Sequence, residues 1–229
     1  MKKIFSFIIA GALILLLNNQ SFAQKSKKTF QGTITYDIKY TEGDITPAQK
    51  AQLPTNLVVT VKNCKTKSEV IMGPVSQASI TDGTTKSQIV LIDYMGTKYA
   101  LKLTAQEIAE ALSKITMPKL NITKETKVIL GYTCKKAILT STDDEGTLSN
   151  DTIYYTEDIG CADINFSTQF KEIPGTILEY SENDPQIKAK VIYTVKEIKK
   201  SKISDNIFLI PSDFKEMTKE EFKKTFGGE

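Results

Sequence analysis

Between Thr29 and Thr41 the chain alternates without a break: Phe30, Gly32, Ile34, Tyr36, Ile38 and Tyr40 fall on one side, and Gln31, Thr33, Thr35, Asp37 and Lys39 on the other. A side-chain period of two belongs to a β-strand, and an apolar side opposed to a polar one belongs to an antiparallel strand buried on one face. Ile187 to Val195 repeats the pattern, with Ile187, Ala189, Val191, Tyr193 and Val195 opposed to Lys188, Lys190 and Thr194, and Ile192 as the exception. Strands that give a whole face to apolar side chains need further strands beside them and a cover over that face.

The remaining pattern supplies the further strands. Leu57 to Val61, Glu69 to Met72, Ser76 to Thr81, Gln88 to Tyr94 and Lys98 to Leu103 read as a meander, with turns at Asn63 to Thr66, Asp82-Gly83 and Met95-Gly96. Val128 to Thr140, Asp151 to Glu157 and Thr176 to Tyr180 continue it, and the acidic Asp143 to Gly146 reads as a solvated hairpin tip, because its spacing lacks the alternating oxygen ligands of a calcium loop. Helical spacing recurs once in mid-chain, where Ile108, Ala111, Leu112 and Ile115 follow a Thr104/Glu107 capping box; Thr46 to Ala51 and Lys219 to Phe226 read as short helices. The sum is a mainly β (α+β) chain of nine or ten strands: a large curved antiparallel sheet or open half-barrel, solvated outside, with the mid-chain helix and the short terminal helices packed on the concave face.

Composition narrows function by exclusion. The 229 residues contain no histidine, which removes imidazole acid-base chemistry, Ser-His and Cys-His nucleophiles and most zinc and copper sites. All 30 basic residues are lysine, so there is no guanidinium fork for bidentate phosphate recognition. Acidic residues cluster in turns, as solvated charge does, and Asp143 with Asp144 is the weakest of carboxylate pairs. No catalytic residue, metal site or cofactor site is read from the chain, and the expectation is a protein that is not an enzyme.

Residues 1–23 read as a secretory signal: Lys2 and Lys3, the apolar run Ile4 to Leu17, then Ser21-Phe22-Ala23 with small residues at the two inspected positions. The apolar run is short of the ~20 residues that span a bilayer, so residues 24–229 are expected as a single mature domain without a transmembrane segment, periplasmic or secreted. Losing Lys2 and Lys3 takes the 30 basic residues to 28 against 27 acidic ones, too even a balance to attract nucleic acid.

Three short stretches carry a resemblance: Gly131-Tyr132-Thr133-Cys134-Lys135-Lys136, the run Ile173-Pro174-Gly175-Thr176-Ile177-Leu178-Glu179, and Ile210-Pro211-Ser212-Asp213-Phe214. Together they resemble secreted Gram-negative proteins of unknown function that include the GLPGLI family, whose motif Pro174, Gly175 and Ile177 fit while Glu172, Ile173 and Thr176 depart from it. Such proteins look like the LolA/LolB lipoprotein-carrier superfamily, and the resemblance implies an open half-barrel closed by helices over an apolar cavity, associated with the cell envelope. The residues of these stretches also have a structural reading, with Gly131 opening a strand and Pro174-Gly175 turning the chain into the next one.

Two functions from different classes follow. The first is an envelope protein holding an acyl chain, lipid or other apolar ligand, with Ile34, Tyr36, Ile38, Ile108, Val191 and Tyr193 among the lining residues, since tyrosine hydroxyls suit a cavity rim better than a dry core. The second is a structural module, or one that binds another envelope protein, with its core filled by its own side chains. Export makes a disulfide the expected state of two of the three cysteines. Cys134 with Cys161 flank one hairpin and form the preferred pair, with three separate buried thiols as the other arrangement open to the chain. Intact-mass measurement of the protein from its native host is expected to give a chain starting at Gln24; a mass that retains Met1 overturns the signal reading.

Overall fold

The computed structural model describes residues 29–41, 45–142, 146, 148–184 and 187–226. The signal segment and Asp143, Asp144 and Glu145 of the acidic turn lie outside the described residues. One twelve-stranded sheet runs through the rest. Its strands are β1 (Gln31–Thr41), β2 (Asn56–Lys62), β3 (Lys65–Met72), β4 (Val75–Asp82), β5 (Ser87–Tyr94), β6 (Thr97–Leu103), β7 (Lys119–Ile129), β8 (Tyr132–Thr142), β9 (Leu148–Thr156), β10 (Thr176–Asp184), β11 (Ala189–Lys200) and β12 (Lys215–Met217). They lie in the order β12-β6-β5-β4-β3-β2-β1-β11-β10-β9-β8-β7. Every pairing is antiparallel except that of β12, which runs parallel to β6.

The helices are α1 (Pro47–Lys50), α2 (Ala105–Leu112) and α3 (Lys219–Phe226). In α2, Thr104 accepts from the Glu107 amide at 3.3 Å while the Glu107 carboxylate accepts from the Thr104 amide at 2.9 Å, closing the expected capping box. These hydrogen bonds hold the Glu107 carboxyl below its ordinary range.

The path of the chain explains the curvature. β6 and β7 are consecutive in sequence but ten places apart in the sheet. Laid flat, ten interstrand spacings of about 4.8 Å span about 48 Å. The connection Thr104 to Pro118, eight of whose residues are helical in α2, reaches only about 36 Å. The sheet therefore curls, and the β6-α2-β7 connection crosses its open side. Curling is tight enough that Cys134 in β8, Leu178 in β10 and Ile34 in β1 share one apolar cluster on the concave face with Phe30, Tyr36, Val61, Ile159 and Val195.

Three details depart from the sequence reading. Val128 to Thr140 is not one strand: β7 and β8 form a hairpin whose turn residues, Leu130 (φ 46°) and Gly131 (φ 84°), both have positive φ, the geometry of a type I′ turn. Gly131 thus sits in the turn and does not open a strand. β7 escaped notice because it is an edge strand, mostly exposed, with no apolar alternation.

The convex face is also not solvated throughout. Ala78, Ile80, Leu91 and Ala100, from β4 to β6, point away from the concave side and pack on Phe208, with Ile203, Ile207, Ile210 and Phe214 around them. The segment from Ile203 to Phe214 is thus a second cover, on the outside. It continues into β12 at the sheet edge and then into α3, whose Phe226 meets the Tyr99 ring edge-on at 5.5 Å.

The third departure is the disulfide. Cys64 pairs with Cys161, their Cα atoms 5.2 Å apart, and Cys134 stays a buried thiol. Cys134 is buried in the core near the start of β8, while Cys161 belongs to an irregular segment that crosses the concave face to the β2–β3 turn. Desolvation pushes the Cys134 thiol up to about 11, so the thiolate that would attack a disulfide is scarce. Closing a loop of 97 residues stabilises the fold by about 4 to 5 kcal/mol through loop-closure entropy. Thiol counting under denaturing, non-reducing conditions is expected to find one free group, and peptide mapping to find a 64–161 bridge. In urea unfolding, Cys161→Ser is expected to lose about 4 kcal/mol, whereas three free thiols overturn the pairing.

Candidate functional site

The concave face is roofed in part by residues 157–175, an irregular run between β9 and β10. Its shape follows from a few residues. Gly160 (φ 78°) and Gly175 (φ 121°) hold backbone conformations that disfavour a side chain, and a Cβ at Gly175 would collide with the Thr156 carbonyl. Asn165 donates to the carbonyls of Ile173 and Gly175, both at 2.8 Å, and Thr176 donates to the Ile159 carbonyl at 3.1 Å. Apolar side chains then press the roof onto the sheet: Ile159 and Ile164 into the cluster around Ile34, and Phe170 and Ile173 into a second cluster with Ala137, Leu139, Ile153, Tyr155 and Ile177. The Cys64–Cys161 bridge and the Lys86–Asp163 ion pair (2.6 Å) tie its outer edge to the β2–β3 and β4–β5 turns. The Pro174-Gly175 motif is therefore the point where the roof re-enters the sheet.

Beneath and beside this roof runs an open trough. Its upper part, about 150 Å³, lies between Tyr36, Val59, Thr66 and Thr81 of the sheet and Ile164, Asn165 and Phe170 of the roof. Its lower part, about 290 Å³, is lined by Ile38, Tyr40, Val70, Met72, Val191 and Tyr193, with Leu53, Pro54, Asp184 and Ile187 at its sides. Leu57 and Ser68 border both parts, which therefore adjoin along the concave face.

Of the residues expected to line a cavity, Ile34, Tyr36, Ile38, Val191 and Tyr193 do share the concave face. Ile34 belongs to its closed core, while Tyr36, buried with its hydroxyl donating to the Ile177 carbonyl at 2.7 Å, also borders the upper trough. Ile38, Val191 and Tyr193 line the lower trough. Ile108 does not join them. It lies in a separate groove of about 660 Å³ between α2 and the roof, with Leu112, Met117 and Phe166. α2 is carried away from the β1–β11 wall by its place in the connection between the two sheet ends, which helical periodicity does not register.

Sequence reasoning missed Glu182 and Asp184, which alternate with Tyr180 on the concave side of β10. Tyr180 stacks on Tyr193 at 4.4 Å and meets Phe170 edge-on at 5.2 Å. Glu182 accepts a hydrogen bond from Gln169 of the roof (3.3 Å) and lies close to the Tyr193 hydroxyl. Burial first, then the charges of Asp184 and Asp151, raise the Glu182 carboxyl above its ordinary value of 4.5. Burial likewise raises the Tyr193 and Tyr180 phenols, which stay neutral. The alternation of Tyr180, Glu182 and Asp184 was the available signal, but carboxylates on an inward face read as the polar side of a strand.

No protein-family model matches the chain, and no curated protein matches it. Among solved structures it is similar to PNGF-II in a C2 crystal form, with a TM-score of 0.54 and 16% identity over 86% of this chain and 32% of that one. The chain thus spans about a third of that protein's length, and at this identity the likeness is one of fold. It also matches a DUF1329 family protein from Desulfovibrio piger, with a TM-score of 0.35 and 8% identity over 80% of this chain and 90% of that one. A third match is a LolA superfamily protein from Nitrosomonas europaea, with a TM-score of 0.34 and 10% identity over 80% of this chain and 91% of that one.

The raised Glu182 carboxyl has a consequence for stability. The folded state holds that proton more tightly than the unfolded chain, so the associated stabilisation is complete below the ordinary value of 4.5 and is lost as pH rises through the higher folded value. Glu182→Gln is therefore expected to raise the melting temperature at pH 7 and leave it nearly unchanged at pH 4. Differential scanning calorimetry at the two pH values checks this, and a lower melting temperature for the variant at pH 7 overturns it.

Proposed function

We propose that this chain is a non-enzymatic binding protein of the cell envelope, exported to the periplasm or beyond, that holds an acyl chain or another apolar ligand in the trough of its half-barrel. The observation that carries the reading is the trough itself, whose two adjoining parts of about 290 and 150 Å³ are walled largely by apolar and tyrosyl side chains. Together they fall within the roughly 300 to 1,000 Å³ of small-molecule sites, which are mostly apolar with a few polar groups. The Cys64–Cys161 bridge supports an oxidising compartment. Among the described residues no helix is long and apolar enough to cross a membrane.

A second reading has its own observation. Ile164, Phe170 and Ile173 of the roof already fill much of the concave core, as in a structural or partner-binding module that is complete without ligand.

Delipidated protein incubated with fatty acids and phospholipids and examined by native mass spectrometry separates the two readings. A carrier is expected to retain one ligand and to lose it in Val191→Glu, which places a charge in the trough and costs about 2 kcal/mol or more of stability. The control is Lys39→Glu, an exposed position on the outward side of β1. Lys190 does not serve as a control, because its ammonium is 2.9 Å from the buried carboxylate of Asp151, and a glutamate there would set two like charges together. Absence of any retained ligand removes the carrier reading and leaves the second.

A further inference from the structure

On the β3–β4 side the trough is faced with uncharged polar groups. Thr66 and Ser68 of β3 stand across the ladder from Thr81 and Ser79 of β4, and on the next rung of the same face Val70 stands opposite Gln77. The Thr66 and Thr81 hydroxyls bond to each other at 2.6 Å, and the Gln88 amide donates to the Ser79 hydroxyl at 2.7 Å. Among the described residues the side chains of Ser68 and Gln77 have no such partner. Ser68 is half-buried and borders both parts of the trough, while Gln77 is exposed along the lower one. The same strand pair turns Ala78 and Ile80 outward, the reverse of what a core filled by its own side chains needs. Among the described residues lining the upper part there is no lysine and no carboxylate, and burial keeps its Tyr36 and Tyr180 phenols neutral.

We propose that the ligand of this trough is an uncharged amphiphile, an acyl ester or a long-chain alcohol, whose carbonyl or hydroxyl groups meet Ser68 and Gln77 while its chain lies along the β1–β11 wall. The inference rests on the carrier reading and adds the class of ligand. Without ligand, water satisfies the open β3–β4 wall, and a ligand that displaces this water loses affinity unless it replaces the hydrogen bonds. A bare hydrocarbon flank leaves the Ser68 hydroxyl and the Gln77 amide unpaired as they are covered. A charged head brought under the roof meets no counter-charge in the upper part, and one left outside gives the two side chains nothing to bond. Ester and hydroxyl groups accept from both donors and carry no charge to desolvate.

Three probes of one chain length, monododecanoylglycerol, dodecanoate and dodecylammonium, test the selection by isothermal titration below their aggregation concentrations at pH 7. Uptake of the apolar fluorophore N-phenyl-1-naphthylamine, which needs no hydrogen bond from the wall, reports that the trough is present. The native protein is expected to bind monododecanoylglycerol about tenfold more tightly than either charged probe, the ratio that two modest hydrogen bonds support. The double variant Ser68→Ala, Gln77→Leu removes both donors and is expected to bring the three affinities within about threefold. If that variant does not fold or no longer takes up the fluorophore, Val70→Thr carries the test. It adds a hydroxyl of nearly the same shape at a half-buried position beside Gln77 and is expected to widen the ratio. A charged probe that binds as tightly as monododecanoylglycerol, a preference that survives in the double variant, or an unchanged ratio in Val70→Thr overturns the uncharged assignment and leaves the apolar trough standing. Binding of neither the fluorophore nor any of the three probes removes the carrier reading and this inference with it.

Discussion

The length of one connection sets the form of this protein. Fifteen residues from Thr104 to Pro118 join strands that lie ten places apart in the sheet, and no flat sheet permits that span. Curling solves the geometric problem and creates a chemical one, because it collects the apolar faces of β1, β2, β8, β10 and β11 on the inside of a half-barrel whose own helices are too few and too short to cover them. α1 and α3 bury no side chain, and α2 buries only Ile108.

The cover comes from irregular chain. On the inside, residues 157–175 insert Ile159, Ile164, Phe170 and Ile173 into the sheet and are fastened by the Cys64–Cys161 bridge. A segment without ladder hydrogen bonds has to satisfy its backbone in other ways, and Asn165 and Thr176 supply several of the partners. On the outside, Ile203 to Phe214 covers the apolar positions of β4 to β6. The polarity of the sheet thus changes sign along its width. β1 and β11 are apolar inward, whereas β4 keeps Thr81, Ser79 and Gln77 inward and Ala78 and Ile80 outward. The trough lies where these two regimes meet, with an apolar wall on the β1–β11 side, hydroxyl and amide groups on the β3–β4 side, and the carboxylates of β10 at one end.

Much of this was open to inspection in the sequence. A period of two is imposed by strand geometry itself, so Thr29 to Thr41 and Ile187 to Val195 announced their strands and the inward side of each, on which Ile38, Val191 and Tyr193 lie. The capping box at Thr104, the short helix after Thr46 and the Met95-Gly96 turn were equally plain, because each is satisfied within a few residues. The sequence by itself therefore determined the local elements, the antiparallel character of the sheet and the absence of imidazole and guanidinium chemistry. Which apolar side chains meet across the fold was decided by tertiary structure alone. The pairing of Cys161 with Cys64 in place of Cys134, the outward cover from Ile203 to Phe214, the parallel β12, the removal of Ile108 to another groove and the gathering of Asp184, Glu182, Tyr40 and Tyr193 all join residues distant in sequence or on different strands. Those contacts depend on how far the sheet curls, which is a property of the whole chain path, and no window of a dozen residues contains it.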